Sequence, residues 1–203
     1  MDDPTDGRRQ RGSSTRRALV DAAVDVLTDS GFAGLTLREV ASRAGVSPAA
    51  TTYHFGTVET LVAVVLQELD ERATRRLADL TRRARAGELS LLDACTTYLM
   101  DLFGPARRTT LVQLEIRLRA ARDPDAGRLP DDQDERVVDV ISAYTGDREQ
   151  ARELFTAVFG FAVRGALSSP PPDADTVRAY MAGLLARHGL LDHTPAPTAG
   201  GTP

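Results

Sequence analysis

Residues 35–56 read LTLREVASRAGVSPAATTYHFG, and this stretch decides the fold. Thr36 followed three residues later by Glu39 forms a capping box, which starts a helix. Val40, Ala41 and Ala44 give that helix a small apolar face, and Gly45 ends it after about two turns. Ser47 can cap the next helix, with Pro48 at the first helical position, where its missing N–H costs nothing. The second helix is short, about residues 48–54, and Phe55-Gly56 closes it. Two short helices joined by Gly45-Val46 predict a helix-turn-helix. A reading helix must be short and exposed on one side to enter a major groove about 12 Å wide. The small side chains of Val40, Ala41, Ala44 and Val46 let the two helices cross closely.

Working outward, Leu19, Ala22, Ala23, Val26 and Leu27 share one helix face and predict a first helix over residues 14–30, stopped by Gly31. Downstream, Thr57 caps a long fourth helix that runs to about Arg85. Its stripe is Leu61, Val62, Val65, Leu66, Leu69, Ala73, Leu77 and Leu80. Five more helical patterns follow at about 90–103, 107–122, 131–144, 148–168 and 174–188, with a polar, acidic loop at 123–134. No segment alternates as a strand does, so the expected fold is all-α with about nine helices. The expected organisation is a basic disordered arm at 1–13 and a three-helix DNA-binding domain at 14–58. A helical ligand-binding and dimerisation domain then follows at 59–190, with a disordered tail at 191–203.

Composition narrows the function. The chain has 203 residues, 42% apolar and 27% charged, with a net charge of -4. There is no lysine, so any basic phosphate contact beyond histidine uses a guanidinium, which can hold two oxygens at once. Residues 8–58 carry seven Arg against four acids, although the whole chain is acidic. Arg8, Arg9, Arg11, Arg16 and Arg17 follow one another with no acid between them, as a DNA-contacting arm would. One cysteine, Cys95, and three scattered histidines offer no metal-ligand cluster, and no cofactor is expected. Cys95 lies among Leu91, Leu92 and Leu99 and reads as a small buried hydrophobe. There is no nucleophile–base pair and no Gly-rich phosphate loop, so no enzyme is expected. No apolar run of membrane length or signal-peptide type appears, which predicts a cytoplasmic protein without a membrane partner.

Residues 14–66 resemble the DNA-binding domain of the tetracycline-repressor (TetR) family. The resemblance lies in Ala22-Ala23, Gly31-Phe32, Leu35 to Ala41, Ala44 to Ser47, Tyr53 to Gly56 and Glu59-Thr60-Leu61. It implies a sequence-specific transcriptional regulator, most often a repressor released from a palindromic operator by a small molecule. It assigns base reading to Pro48, Ala49, Ala50, Thr51 and Thr52. It makes Thr36, Arg38, Ser47, Tyr53 and His54 candidates for phosphate contact, and the basic run at residues 8–17 adds Arg16 as a DNA-contact candidate. Two positions depart from the family pattern. Val58 stands where a phosphate-binding lysine is usual, and Thr52 where an aromatic residue is frequent.

Small-molecule sites in helical bundles are apolar cavities with a few polar groups. The candidates are Leu66, Leu69, Tyr98, Leu102, Phe103 and Leu114, with Glu115, Leu118, Ile141, Tyr144 and Phe159. Glu115 would favour a cationic ligand if buried. The eighth and ninth helices are the dimer candidates, through Phe155, Val158, Ala162 and Val163 on one and Val177, Met181, Leu184 and Leu185 on the other. Gly160 and Gly165 would permit close helix approach. The alternative to a ligand-responsive homodimer is a ligand-independent architectural DNA binder, which would lack an enclosed cavity.

Overall fold

The computed structural model describes residues 4–122 and 133–191, with side chains from Gly12 onward. The described residues form helices without strands: α1 Pro4–Gly34, α2 Leu37–Ala44, α3 Pro48–Phe55, α4 Val58–Arg85, α5 Leu91–Phe103, α6 Arg107–Arg122, α7 Gln133–Thr145, α8 Arg148–Leu167 and α9 Ala174–Arg187. The helix ends follow the capping chemistry in the sequence. Thr36 Oγ1 accepts the Glu39 N–H at 3.0 Å, Ser90 caps α5, Asp147 caps α8 and Asp173 caps α9.

The first helix departs from expectation. It begins at Pro4, inside the stretch expected to be a disordered arm. The Arg and Gln residues there are good helix formers, and no break separates them from the apolar face that starts at Leu19. Its expected stop survives as a break at Gly31, whose φ of 60° and ψ of -167° are not helical. Residues 1–3, the acidic loop at 123–132 and the tail at 192–203 lie outside the described residues.

The chain divides into two compact units that do not follow the linear split at residue 58. Unit 1 is Met1–Asp70 with Val112–Pro130, and unit 2 is Glu71–Leu111 with Asp131–Pro203. Both boundaries fall inside helices, so α4 and α6 each carry residues of both units.

The unit 1 core gathers Leu19, Val26 and Leu27 of α1, Val40 of α2, Phe55 of α3, Leu61 to Leu69 of α4, and Val112 and Ile116 of α6. Asp70 is buried beside it. Arg117 Nη2 donates to both oxygens of the Asp70 carboxylate at 2.7 and 2.8 Å, and Gln113 Nε2 donates at 2.8 Å. Arg119 stacks over the Phe32 ring at 4.6 Å.

In unit 2, α9 packs against α5, with Leu99 and Phe103 against Val177, Met181, Leu184 and Leu185. These four α9 residues are 0–3% exposed within one chain. Their assignment to a dimer interface is therefore corrected: the stripe finds its partner in α5. Tyr180 stacks on Phe161 at 4.0 Å and donates to the Ala157 carbonyl, tying α9 to α8.

Candidate nucleic-acid interface and apolar cavity

The turn between α2 and α3 is held by backbone geometry. Gly45 has φ 67°, a left-handed conformation that a side chain would strain, and its N–H bonds the Ser42 carbonyl. The Val46 N–H reaches back to the Ala41 carbonyl at 3.0 Å. Ser47 then accepts the Ala50 N–H at 3.2 Å, and α3 starts at once with Pro48.

The helical period sorts α3 into two faces. Pro48, Ala49, Thr52 and Tyr53 are exposed, Tyr53 at 87%. Ala50 and His54 are half-buried. Thr51 and Phe55, four residues apart, point into the core. Thr36, Arg38 and Ser47 are exposed beside this outer face, and Arg16 is exposed on α1. Val58, the position usually held by lysine, is half-buried against the unit 1 core. The Thr52 hydroxyl bonds the Pro48 carbonyl at 3.2 Å, and Tyr53 sits edge-on to His54 at 5.5 Å.

Thr51 is the correction on this helix. It is fully buried, so it cannot touch a base, and its Oγ1 has no hydrogen-bond partner. The spacing to Phe55 was the signal that places it inward. Thr51→Val, nearly the same shape without the hydroxyl, should stabilise the chain by about 1 kcal/mol. That raises the thermal midpoint by roughly 2–4 °C for a chain of this size. Operator discrimination should stay unchanged. A lower midpoint would show that the hydroxyl is satisfied, and a changed base preference would return Thr51 to the reading face.

Unit 2 contains a cavity of about 150 Å³. Of the sequence-predicted ligand residues, Tyr98, Leu102, Ile141, Tyr144 and Phe159 line it. Phe155, Val158, Ala162, Met181 and Leu185, expected at a dimer interface, line it too, because α8 and α9 turn these side chains inward. The others lie elsewhere. Leu66 and Leu69 are buried in the unit 1 core, since the apolar stripe of α4 serves two different cores along its length. Phe103 is buried over Gly165 and beside Phe161. Leu118 is 58% exposed, Glu115 is exposed and Leu114 is absent from the lining. Leu77, Leu80, Thr81 and Leu154 are lining residues that sequence reasoning missed.

Cys95 also faces the cavity, which explains its partial exposure despite lying deep in the fold. Burial pushes its thiol up to about 12, so it is neutral at ordinary pH. Burial also raises the Tyr144 phenol. Among the described residues no group of His, Cys, Asp and Glu could hold a metal ion, and no helix is long and apolar enough to cross a membrane.

Residues 19–65 match the family model described as bacterial regulatory proteins, tetR family. The chain is similar to the HTH-type transcriptional regulator CymR of Pseudomonas putida, 33% identical over 119 residues, which cover 57% of this chain and 55% of CymR. The match thus spans just over half the length of such curated relatives. Solved structures match over more of the chain. A TetR-family member from Streptomyces coelicolor A3 (SCO1917) superposes with a TM-score of 0.70 at 29% identity, covering 84% of this chain and 97% of that one. The multidrug binding protein EbrR, complexed with imidazole, superposes with a TM-score of 0.65 at 27% identity, covering 91% and 97%. Residues 19–65 thus carry a helix-turn-helix segment that matches the DNA-binding segment of the TetR family of transcriptional regulators, and the described helices share the all-α architecture of solved TetR-family structures.

Proposed function

We propose that this chain is a homodimeric repressor that is released from a palindromic operator by a small molecule. One observation carries the reading: a single chain combines a short helix with an uncovered outer face and, in its other unit, an apolar cavity. An architectural DNA binder needs the first and has no use for the second.

In this reading Pro48, Ala49, Ala50, Thr52 and Tyr53 enter the major groove. The methyl groups of Ala49 and Thr52 meet thymine methyls, and the Thr52 hydroxyl meets either base type. The N-terminus of α2, with Thr36 and Arg38, faces a phosphate, as do Ser47 and His54. Arg16 and the arginines before it bind the backbone further along.

The dimer face is the part of α8 and α9 left uncovered by the chain itself. Phe159 and Leu167 are 45% and 65% exposed, and Val163 between them is half-buried. On α9 the small residues Ala179, Ala182, Gly183 and Ala186 remain accessible and permit close approach. Two such pairs about a two-fold axis make a four-helix interface. The ligand must bind the non-DNA conformation better, and DNA must then weaken ligand binding by the same factor. Both α4 and α6 carry residues of the two units, so each is a continuous route for that coupling. EbrR, described as a multidrug binding protein, supports a ligand-responsive reading for a chain of this architecture.

Selection of bound sequences from random DNA tests the proposal, with a palindromic consensus as the expected result. Removing residues 1–12, which include Arg8, Arg9 and Arg11, should then flatten the log–log salt dependence of operator binding. The slope should shrink by about 0.9 for each phosphate that the arm neutralises. Identical slopes for the full and shortened chains would exclude the basic arm from the complex. Absence of any enriched sequence would favour the architectural reading.

A further inference from the structure

The cavity of unit 2 carries no charge. Fifteen of its lining side chains are apolar, and the other five are Thr81, Cys95, Tyr98, Tyr144 and Thr145. No Asp, Glu, Arg or His lines it. We propose that this cavity takes a neutral, largely apolar ligand of one or two fused rings, and discriminates against organic cations and anions alike. The inference rests on the ligand-responsive reading above and adds the chemistry of the ligand.

Size is the first argument. A cavity of about this volume lined by Leu, Ile and Phe accommodates a benzene-sized molecule. The aromatic side chains Tyr98, Tyr144, Phe155 and Phe159 offer faces and edges to a flat ring. The Thr81 hydroxyl suits a hydrogen bond to a neutral polar substituent, whereas the Thr145 hydroxyl already donates to the Asp147 carbonyl and accepts the Asp147 N–H.

Charge is the second argument. A charged ligand that leaves water needs a counter-charge in the site. Four acids on the surrounding helices are engaged by arginines outside the lining. Arg76 Nε donates to Asp101 at 2.8 Å, Arg178 pairs with Asp93, and Arg148 and Arg152 hold Glu135. Arg148 also pairs with Asp139. Glu115, the residue that would have favoured a cation if buried, is exposed on α6. The Arg85 guanidinium donates to the Ala143 carbonyl at 2.8 Å. A cation therefore meets no charged partner in the lining. Arg85 is not in the lining, so an anion finds no direct pairing either.

Three bicyclic probes test this on the full chain by calorimetric titration: indole, N-methylquinolinium and 2-naphthoate, with neutral 2-naphthol, which has as many non-hydrogen atoms as the cation, as the control for size. Indole should bind with an association constant roughly hundredfold or more above either ion, the factor that several kcal/mol of uncompensated desolvation implies. Thr81→Asp, which places a carboxylate in the lining, should reverse the order and let N-methylquinolinium bind. Thr145→Asp serves the same purpose should the first variant lose its helical circular dichroism. An ion that binds the parent chain as tightly as indole overturns the proposal, as does no binding by any probe. So does a folded carboxylate variant that still prefers indole by the original factor. Operator affinity measured with each probe separates the two readings. Release of DNA by the cation removes the neutral class and keeps the ligand switch. Indole binding without any effect on DNA keeps the neutral class and removes the switch.

Discussion

Replacing Arg117 with Met is expected to destabilise the chain by about 3 kcal/mol, the lower end of the range for breaking a buried ion pair. Asp70 is 3% exposed at its side chain, and both of its oxygens accept from the guanidinium. The variant removes the charge that neutralises this carboxylate while leaving the carboxylate inside. Arg117 itself is 32% exposed, so water can reach the site and moderate the loss. Asp70→Leu combined with Arg117→Met should recover most of the stability, because two apolar side chains need no mutual compensation. Urea unfolding followed by circular dichroism measures both. A single variant within about 0.5 kcal/mol of the parent, the range of a solvated surface pair, would mean that the ion pair contributes nothing. A double variant as unstable as the single one would mean that Asp70 is held by its other partners.

The second large effect is a reversal of sign between two glycines of α8. A Cβ added at Gly165 would fall 2.3 Å from the ring of Phe103, too close for any atom pair. The ring is buried and hemmed in by Phe161, so it cannot swing aside. Gly165→Ala should therefore cost about 1–3 kcal/mol through overpacking, despite the helix propensity gained. A Cβ at Gly160 meets nothing within 4 Å. Gly160→Ala should stabilise the single chain by about 0.5–1 kcal/mol. Adding Phe103→Leu to Gly165→Ala should restore part of the loss. Equal effects at the two positions would place the Phe103 ring elsewhere. Sedimentation of Gly160→Ala gives a second result, since a weakened dimer would mark Gly160 as a point where a second chain approaches.

The sequence made the helices legible because their ends carry local chemistry. Thr36 with Glu39, Ser47 with Pro48, and Gly45 between them act within a few residues and need no knowledge of the fold. The outer face of α3 was legible for the same reason, except at Thr51. There the resemblance assigned all five residues 48–52 outward, and the four-residue spacing to Phe55 turned one of them inward. The cavity was harder to read. The α4 stripe is uniform from Leu61 to Leu80, yet Leu66 and Leu69 join one core while Leu77 and Leu80 line the cavity. Periodicity reports that a face is buried and is silent on what covers it. The same limit explains α9: Val177, Met181, Leu184 and Leu185 needed a partner, and α5 of the same chain supplies it.

The discontinuous make-up of unit 1 has a consequence for engineering. Val112 and Ile116, 3% and 1% exposed, are as much a part of its core as any residue of α1 or α4. A gene cut after residue 70 would yield a fragment missing one wall, with Asp70 stripped of Arg117 and the apolar side of α4 laid open to water. Such a fragment should be insoluble or prone to self-association. Transplanting the DNA-reading half onto a foreign sensor therefore requires two splice points, one in α4 and one in α6, with residues 112–122 travelling alongside the N-terminal segment.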